Sequence, residues 1–138
     1  MLFFNLAGTG TLNQTTVSAG SLNVSAYAVQ NEYGAFNVML VNKDLTNNLE
    51  VTITLPQKVN WAGVMVMSQL TSGNTGPDPA AVSGITIQGA SVSLTGAYNN
   101  STTNPATTTP NLGYTATVSG STVTCYVPAL SAVLIELH

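Results

Sequence analysis

The sequence predicts an all-β protein, an antiparallel two-sheet β-sandwich of about eight strands with Greek-key-like connections, in one domain over residues 1–138. Three observations predict it. Apolar residues recur at every second position in runs of four to eight residues, which is the period of a half-buried strand. Gly, Pro, Asn and Ser separate the runs. No stretch repeats with the 3.6-residue period of an amphipathic helix.

The chain opens on Leu2, Phe3, Phe4 and Leu6, an apolar run that reads either as a first strand against the core or as the tail of a helix, ended by Gly8 and Gly10. Leu12 to Val17 is an expected edge strand and Ala19-Gly20 a turn. From Ser21 to Gln30, Leu22, Val24, Ala26 and Ala28 share one face, with Tyr27 and Val29 on the other. Asn31-Glu32-Tyr33-Gly34 then reverses the chain, because Asn and Gly tolerate positive φ. Phe36/Val38/Leu40 and Leu49/Val51/Ile53/Leu55 flank the polar connector NKDLTNN, so residues 35–56 read as a hairpin and residues 21–55 as a three-stranded meander. Pro56 stops it.

Trp61 to Leu70 is the next strand, apolar on both faces, and Thr71 to Pro79 is a loop broken by Gly and Pro. Ile85/Ile87 and Val92/Leu94 make two short strands about Gln88-Gly89. Residues 96–113 form a long polar loop with Pro105 and Pro110. The last three strands are Tyr114 to Val118, Thr122 to Val127 and Ser131 to Leu137.

Composition narrows the function. Charged residues make up 5% of the chain, against roughly 25% in an average domain. The basic side chains are Lys43 and Lys58, with no Arg, so the chain has no means of tracking phosphates and nucleic acid is excluded as a partner. No run approaches the roughly 18 apolar residues of a membrane span. A single cysteine, Cys125, excludes an internal disulfide and a thiolate metal cluster, and its place in TVTCYV reads as a buried thiol. The Thr/Asn-rich, charge-poor surface suits an extracellular or periplasmic protein.

Chemistry is sparse. Carboxylate catalysis needs two groups facing one bond. Glu32, Asp44 and Asp78 lie in turns or loops, and Glu50 and Glu136 on the polar phase of strands, so none is expected to be catalytic. His138 is the only histidine, which leaves no nucleophile triad and no ligand cluster for a metal, and no cofactor is expected. The sequons at Asn13, Asn23, Asn99 and Asn100 match chance in so Ser/Thr-rich a chain. For a glycan, the stacking candidates are Tyr33 and Tyr98, both in loops.

Three segments, MLFFNLAGTGTL, NVSAYAVQNEYGAFNVMLVNKDLTNNLEVTITLP and VTCYVPALSAVLIEL, carry a resemblance. Together they resemble the C-terminal β-sandwich of glycoside hydrolase family 79, the β-glucuronidases and heparanase, or of a related clan-A glycosidase. That domain shows an "lvNkd"-like turn before a "v.l.lP"-like strand and closes on a "vPa.Sa.vi.l"-like segment. The resemblance implies a non-catalytic accessory domain that stabilises a (β/α)8 barrel not contained in this chain, so the chain is not itself expected to be an enzyme. It implies that residues 1–10 are the remnant of the barrel's last helix, with Leu2, Phe3, Phe4 and Leu6 at the interdomain interface. It also implies a sandwich that can lack a strand, whose open edge invites an edge-strand dimer. A free-standing carbohydrate-binding module and an adhesin-like structural sandwich are the alternatives.

Overall fold

The computed structural model describes residues 7–69, 85–87, 90–91 and 116–138. They form β1 (Thr11–Asn13), β2 (Val24–Gln30), β3 (Phe36–Asn42), β4 (Leu49–Thr54), β5 (Ala62–Gln69), β6 (Ile85–Ile87), β7 (Ala90–Ser91), β8 (Ala116–Ser119), β9 (Thr122–Val127) and β10 (Ser131–Leu137). All pairings are antiparallel. A seven-stranded sheet runs β1-β2-β3-β10-β5-β6-β7, and a three-stranded sheet runs β4-β9-β8. The all-β sandwich is as expected, with the last strand inserted between β3 and β5.

Local chemistry sets the turns. Asn31 Oδ1 accepts the Tyr33 and Ala35 amides, each at 3.0 Å, and Gly34 takes φ 83°, a left-handed conformation that favours glycine. Thr122 Oγ1 donates to the Ser119 carbonyl at 2.8 Å across the β8–β9 turn. Both turns join neighbouring strands of one sheet, so their polar groups are satisfied locally.

The core is the layer between the sheets. Phe36, Val38, Leu40, Val64, Val66, Val133, Ile135 and Leu137 enter it from the large sheet, and Val123, Cys125 and Val127 from the small one. Burying a side chain such as Val133 or Ile135 contributes about 1.5–3 kcal/mol. A second apolar layer lies on the other face of the large sheet, where Met39, Ala132 and Leu134 are buried with Ala7 and Ile87. Hence β10 is buried on both faces, which is why SAVLIEL is nearly continuous in apolar residues rather than alternating.

The structure corrects the meander. β3 pairs with β2 and β10, whereas β4 leaves for the other sheet and pairs with β9, from Leu49 opposite Val127 to Thr54 opposite Thr122. Residues 43–48 are therefore a crossover between layers, and residues 35–56 are not a hairpin. The expected alternation is present: Leu49, Val51 and Ile53 turn inward and Glu50, Thr52 and Thr54 outward. A period of two specifies which face is buried and leaves the neighbouring strand open.

The expected edge strand at 12–17 also ends early. In the β1–β2 register Thr15 would stand opposite Ala26, and its hydroxyl instead takes the Ala26 carbonyl at 2.8 Å, ending the ladder at Asn13. Leu2 to Leu6, the 71–79 loop, most of the strand expected at Val92/Leu94 and the 96–113 loop lie outside the described residues.

Candidate functional site

No two carboxylates stand opposite each other in the described sheets. Glu50 faces Tyr126 on β9, and Glu136 faces Asn37 on β3 and Gly63 on β5. Glu32 is exposed in the β2–β3 turn, and Asp78 lies outside the described residues. Asp44 is committed to its own loop: Oδ1 accepts the amides of Asn47 at 3.0 Å and Thr46 at 3.1 Å. Those amides, Asn47 first, hold its carboxyl below the usual range. Cys125 is buried in the core, and burial pushes its thiol up to about 11. Among the described residues no three of His, Cys, Asp and Glu gather as metal ligands.

Of the expected glycan contacts, Tyr33 is 86% exposed at the tip of its turn, and Tyr98 lies outside the described residues. Trp61, an aromatic that the sequence places at the start of a strand rather than in a loop, lies at the same end of the large sheet. Leu137 pairs with Phe36 and with Ala62, so the segments holding Tyr33, Trp61 and His138 emerge side by side. The backbones of Trp61 and His138 exchange hydrogen bonds at 3.0 and 3.1 Å, and their rings lie 5.3 Å apart at 51°. Trp61 is 41% exposed and its ring lies close over Gly63.

At the opposite end, the two motifs of the family resemblance meet. Asn42, buried at the end of β3, donates through Nδ2 to the carbonyls of Asn47 at 2.8 Å, Pro128 at 3.0 Å and Val127 at 3.3 Å. Its Oδ1 accepts the Asp44 amide at 3.0 Å. Asn48 Oδ1 accepts the Ala129 amide at 3.0 Å, and the Leu130 amide donates to the Asp44 carbonyl at 3.1 Å. VNKD and VPALS thus form one hydrogen-bonded corner that ties the crossover to the β9–β10 connection. Its polar atoms are engaged with each other, which makes it a structural joint rather than a binding site.

A concavity lies elsewhere. An open groove of about 620 Å³ runs between β4 and residues 14–19, reaching Val24, Ala26, Val38 and Leu40 on the inner face of the large sheet. Among the described residues that line it, Glu50 is the ionisable one.

No family model matches the chain, and no curated protein matches it. Among solved structures, it is similar to the family GH51 arabinofuranosidase from Xanthomonas axonopodis pv. citri, with a TM-score of 0.50 and 16% identity over 93% of this chain and 21% of that one. It is also similar to the catalytic domain of the GH30 xylanase C from Talaromyces cellulolyticus (TM-score 0.49, 17% identity, 88% of this chain and 19% of that one). A third likeness is to CelM2, a bifunctional glucanase-xylanase from a metagenome library (TM-score 0.45, 21% identity, 83% and 16%). The chain spans about a fifth of the length of the GH51 enzyme whose fold it shares in part.

Proposed function

We propose that this chain is a non-catalytic accessory β-sandwich of a secreted glycoside hydrolase of the family 79 type, packing on and stabilising a (β/α)8 barrel that lies outside residues 1–138. The observation that carries the reading is the margin of the second apolar layer, which this chain leaves only partly buried. A sandwich needs one inner core, yet Met39, Ala132 and Leu134 form another on the far face of the large sheet. Val41, Met65 and Met67 at its margin are only partly buried. Ala7 is brought to that face, and Asn37 Nδ2 holds its carbonyl at 2.6 Å. Leu2, Phe3, Phe4 and Leu6 immediately precede it in sequence and are the proposed interdomain contact.

The likeness of nearly the whole chain to one-fifth of a GH51 enzyme supports an accessory role. An extracellular or periplasmic location belongs to the same proposal. The test is to assay the isolated chain against aryl glycosides and soluble polysaccharides, and to compare the parent polypeptide with and without it. No hydrolysis by the chain, and a lower melting temperature of the barrel without it, are expected. Hydrolysis by the chain alone would overturn the reading. The exposed Tyr33 and Trp61 favour a carbohydrate-binding module as second reading, which saturable glycan binding lost in Tyr33→Ala or Trp61→Ala would establish.

A further inference from the structure

We infer that the outer face of the small sheet binds a neutral saccharide, laid along β9 with one sugar ring stacked on Tyr126. The inference does not rest on the accessory-domain reading. This face belongs to the small sheet, whereas the apolar layer assigned to the barrel lies on the far face of the large one, so both can be occupied together. It also excludes Tyr33 and Trp61, which stand at the end of the large sheet.

The face follows from the strand period. Val51 and Ile53 of β4, Val118 of β8 and Val123, Cys125 and Val127 of β9 point into the core, so the residues between them point out. Register then sets them in rows. Thr52, Thr124 and Thr117 stand side by side across the three strands, and Thr54, Thr122 and Ser119 form the next row. Tyr126 stands beside Glu50 and is 41% exposed. Neighbouring strands lie about 4.8 Å apart and alternate residues about 6.8 Å apart along a strand, so the hydroxyls form a regular grid with one aromatic ring at its end. The Thr52 and Thr124 hydroxyls are 3.4 Å from each other. Because the inner phase of the same strands is packed in the core, the grid is held on a rigid support.

Chemistry selects the occupant. A threonine hydroxyl both donates and accepts, as a sugar hydroxyl does, and the Glu50 carboxylate accepts from two such donors at once. Thr122 already donates to the Ser119 carbonyl at 2.8 Å, and its oxygen still accepts. The Tyr126 ring supplies the apolar surface on which a pyranose face stacks. Charge narrows the class further. The lysines, Lys43 and Lys58, lie in none of these three strands and the chain has no Arg, so a phosphate, sulfate or uronate on this face meets Glu50 and no cation. Besides the Tyr126 ring, the outward residues of β4, β8 and β9 include no large apolar side chain, so the face lacks the apolar centre of a protein interface.

The probes are cellotetraose, xylotetraose and mannotetraose, titrated into the whole chain by calorimetry while threonine methyl and backbone amide resonances are followed. Saturable binding of at least one is expected, with shifts at Thr52, Thr117 and Thr124 and none at Tyr33 or Trp61. Tyr126→Ala weakens it by roughly tenfold, whereas Tyr126→Phe keeps the ring and most of the affinity. Thr124→Val keeps the shape of a strand residue, removes one hydroxyl and weakens binding by roughly threefold. Tetragalacturonate binds the natural chain more weakly than the neutral probe, and Glu50→Gln narrows that gap. The resonance shifts are read on the unaltered protein, so the test stands even if a variant fails to fold. Failure of all three neutral probes to saturate, equal or tighter binding of tetragalacturonate, or binding indifferent to Tyr126→Ala would each overturn the inference. Shifts confined to Tyr33 and Trp61 would overturn it in favour of the other end of the sandwich. So would self-association that moves the Thr52, Thr117 and Thr124 resonances without sugar.

Discussion

Asn42 and Pro128 stand 86 positions apart, and the Asn42 side-chain amide donates to the Pro128 carbonyl at 3.0 Å. With its bonds to Asn47, Val127 and the Asp44 amide, this one buried side chain joins the β3–β4 crossover to the β9–β10 connection. Asn42→Ala strands several buried groups at once and should lower stability by about 2–4 kcal/mol, read as a lower urea midpoint. Asn42→Asp keeps the shape but turns a donor into an acceptor facing three carbonyls. Its folded-state pKa is thereby raised, so the variant should gain stability as the pH falls and the donor is restored.

Asp44 has the opposite sign. Its carboxyl is held low by the Asn47 and Thr46 amides, so its contribution is present above the unfolded pKa, roughly 3.9, and is lost as pH falls through the lower folded value. Acid titration followed on the Asn47 and Thr46 amide resonances should show a midpoint below that of an ordinary aspartate. Asp44→Ala should remove the transition and loosen the 44–47 turn. A midpoint at or above the ordinary value would contradict the account.

Cys125 is 2% exposed, and burial raises its thiol from 9.0 to about 11. A raised pKa means that stability is fully present below the unfolded value and is lost as pH rises through the folded one. Folded protein should therefore resist thiol reagents at pH 8 and react fully once denatured. Alkaline destabilisation should develop between about 9 and 11 in the natural chain and be reduced in Cys125→Ala at that pH.

Much of this fold was legible because its rules are local. Asn31 and Gly34 declare a reversal, and β10 announces a buried strand by its nearly unbroken apolar run. Pairing partners were less legible. Leu49, Val51 and Ile53 identify an inward face, but only Asn42, Asn48 and the distant Pro128 route β4 to the other sheet. The same limit applies to the sites. Tyr33 is exposed because turn tips are. The Trp61–His138 contact and the groove between residues 14–19 and β4 arise from segments far apart in the chain, so no spacing reports them. Tyr98 and Leu2 to Leu6 lie outside the described residues.

Two glycines separate a costly close approach from a cheap one. A Cβ on Gly10 would run into the Gln30 carbonyl oxygen and approach Val29 Cγ1 to 3.0 Å. That obstacle is backbone in the β1–β2 pair and has no rotamer to escape into. Gly10→Ala should therefore push β1 from β2 and cost about 1–3 kcal/mol, visible as faster amide exchange at Asn13 and its partner Ala28. A Cβ on Gly63 would instead meet Trp61 Cη2 at 2.5 Å, the far end of a half-exposed side chain. The indole can swing outward while the Trp61–His138 backbone hydrogen bonds stay in place. Gly63→Ala should thus leave the urea midpoint nearly unchanged, shift tryptophan emission to longer wavelength and separate the Trp61 and His138 rings. A loss of stability as large as that of Gly10→Ala would show that the ring position, and not only the strand pairing, holds this end of the sheet together.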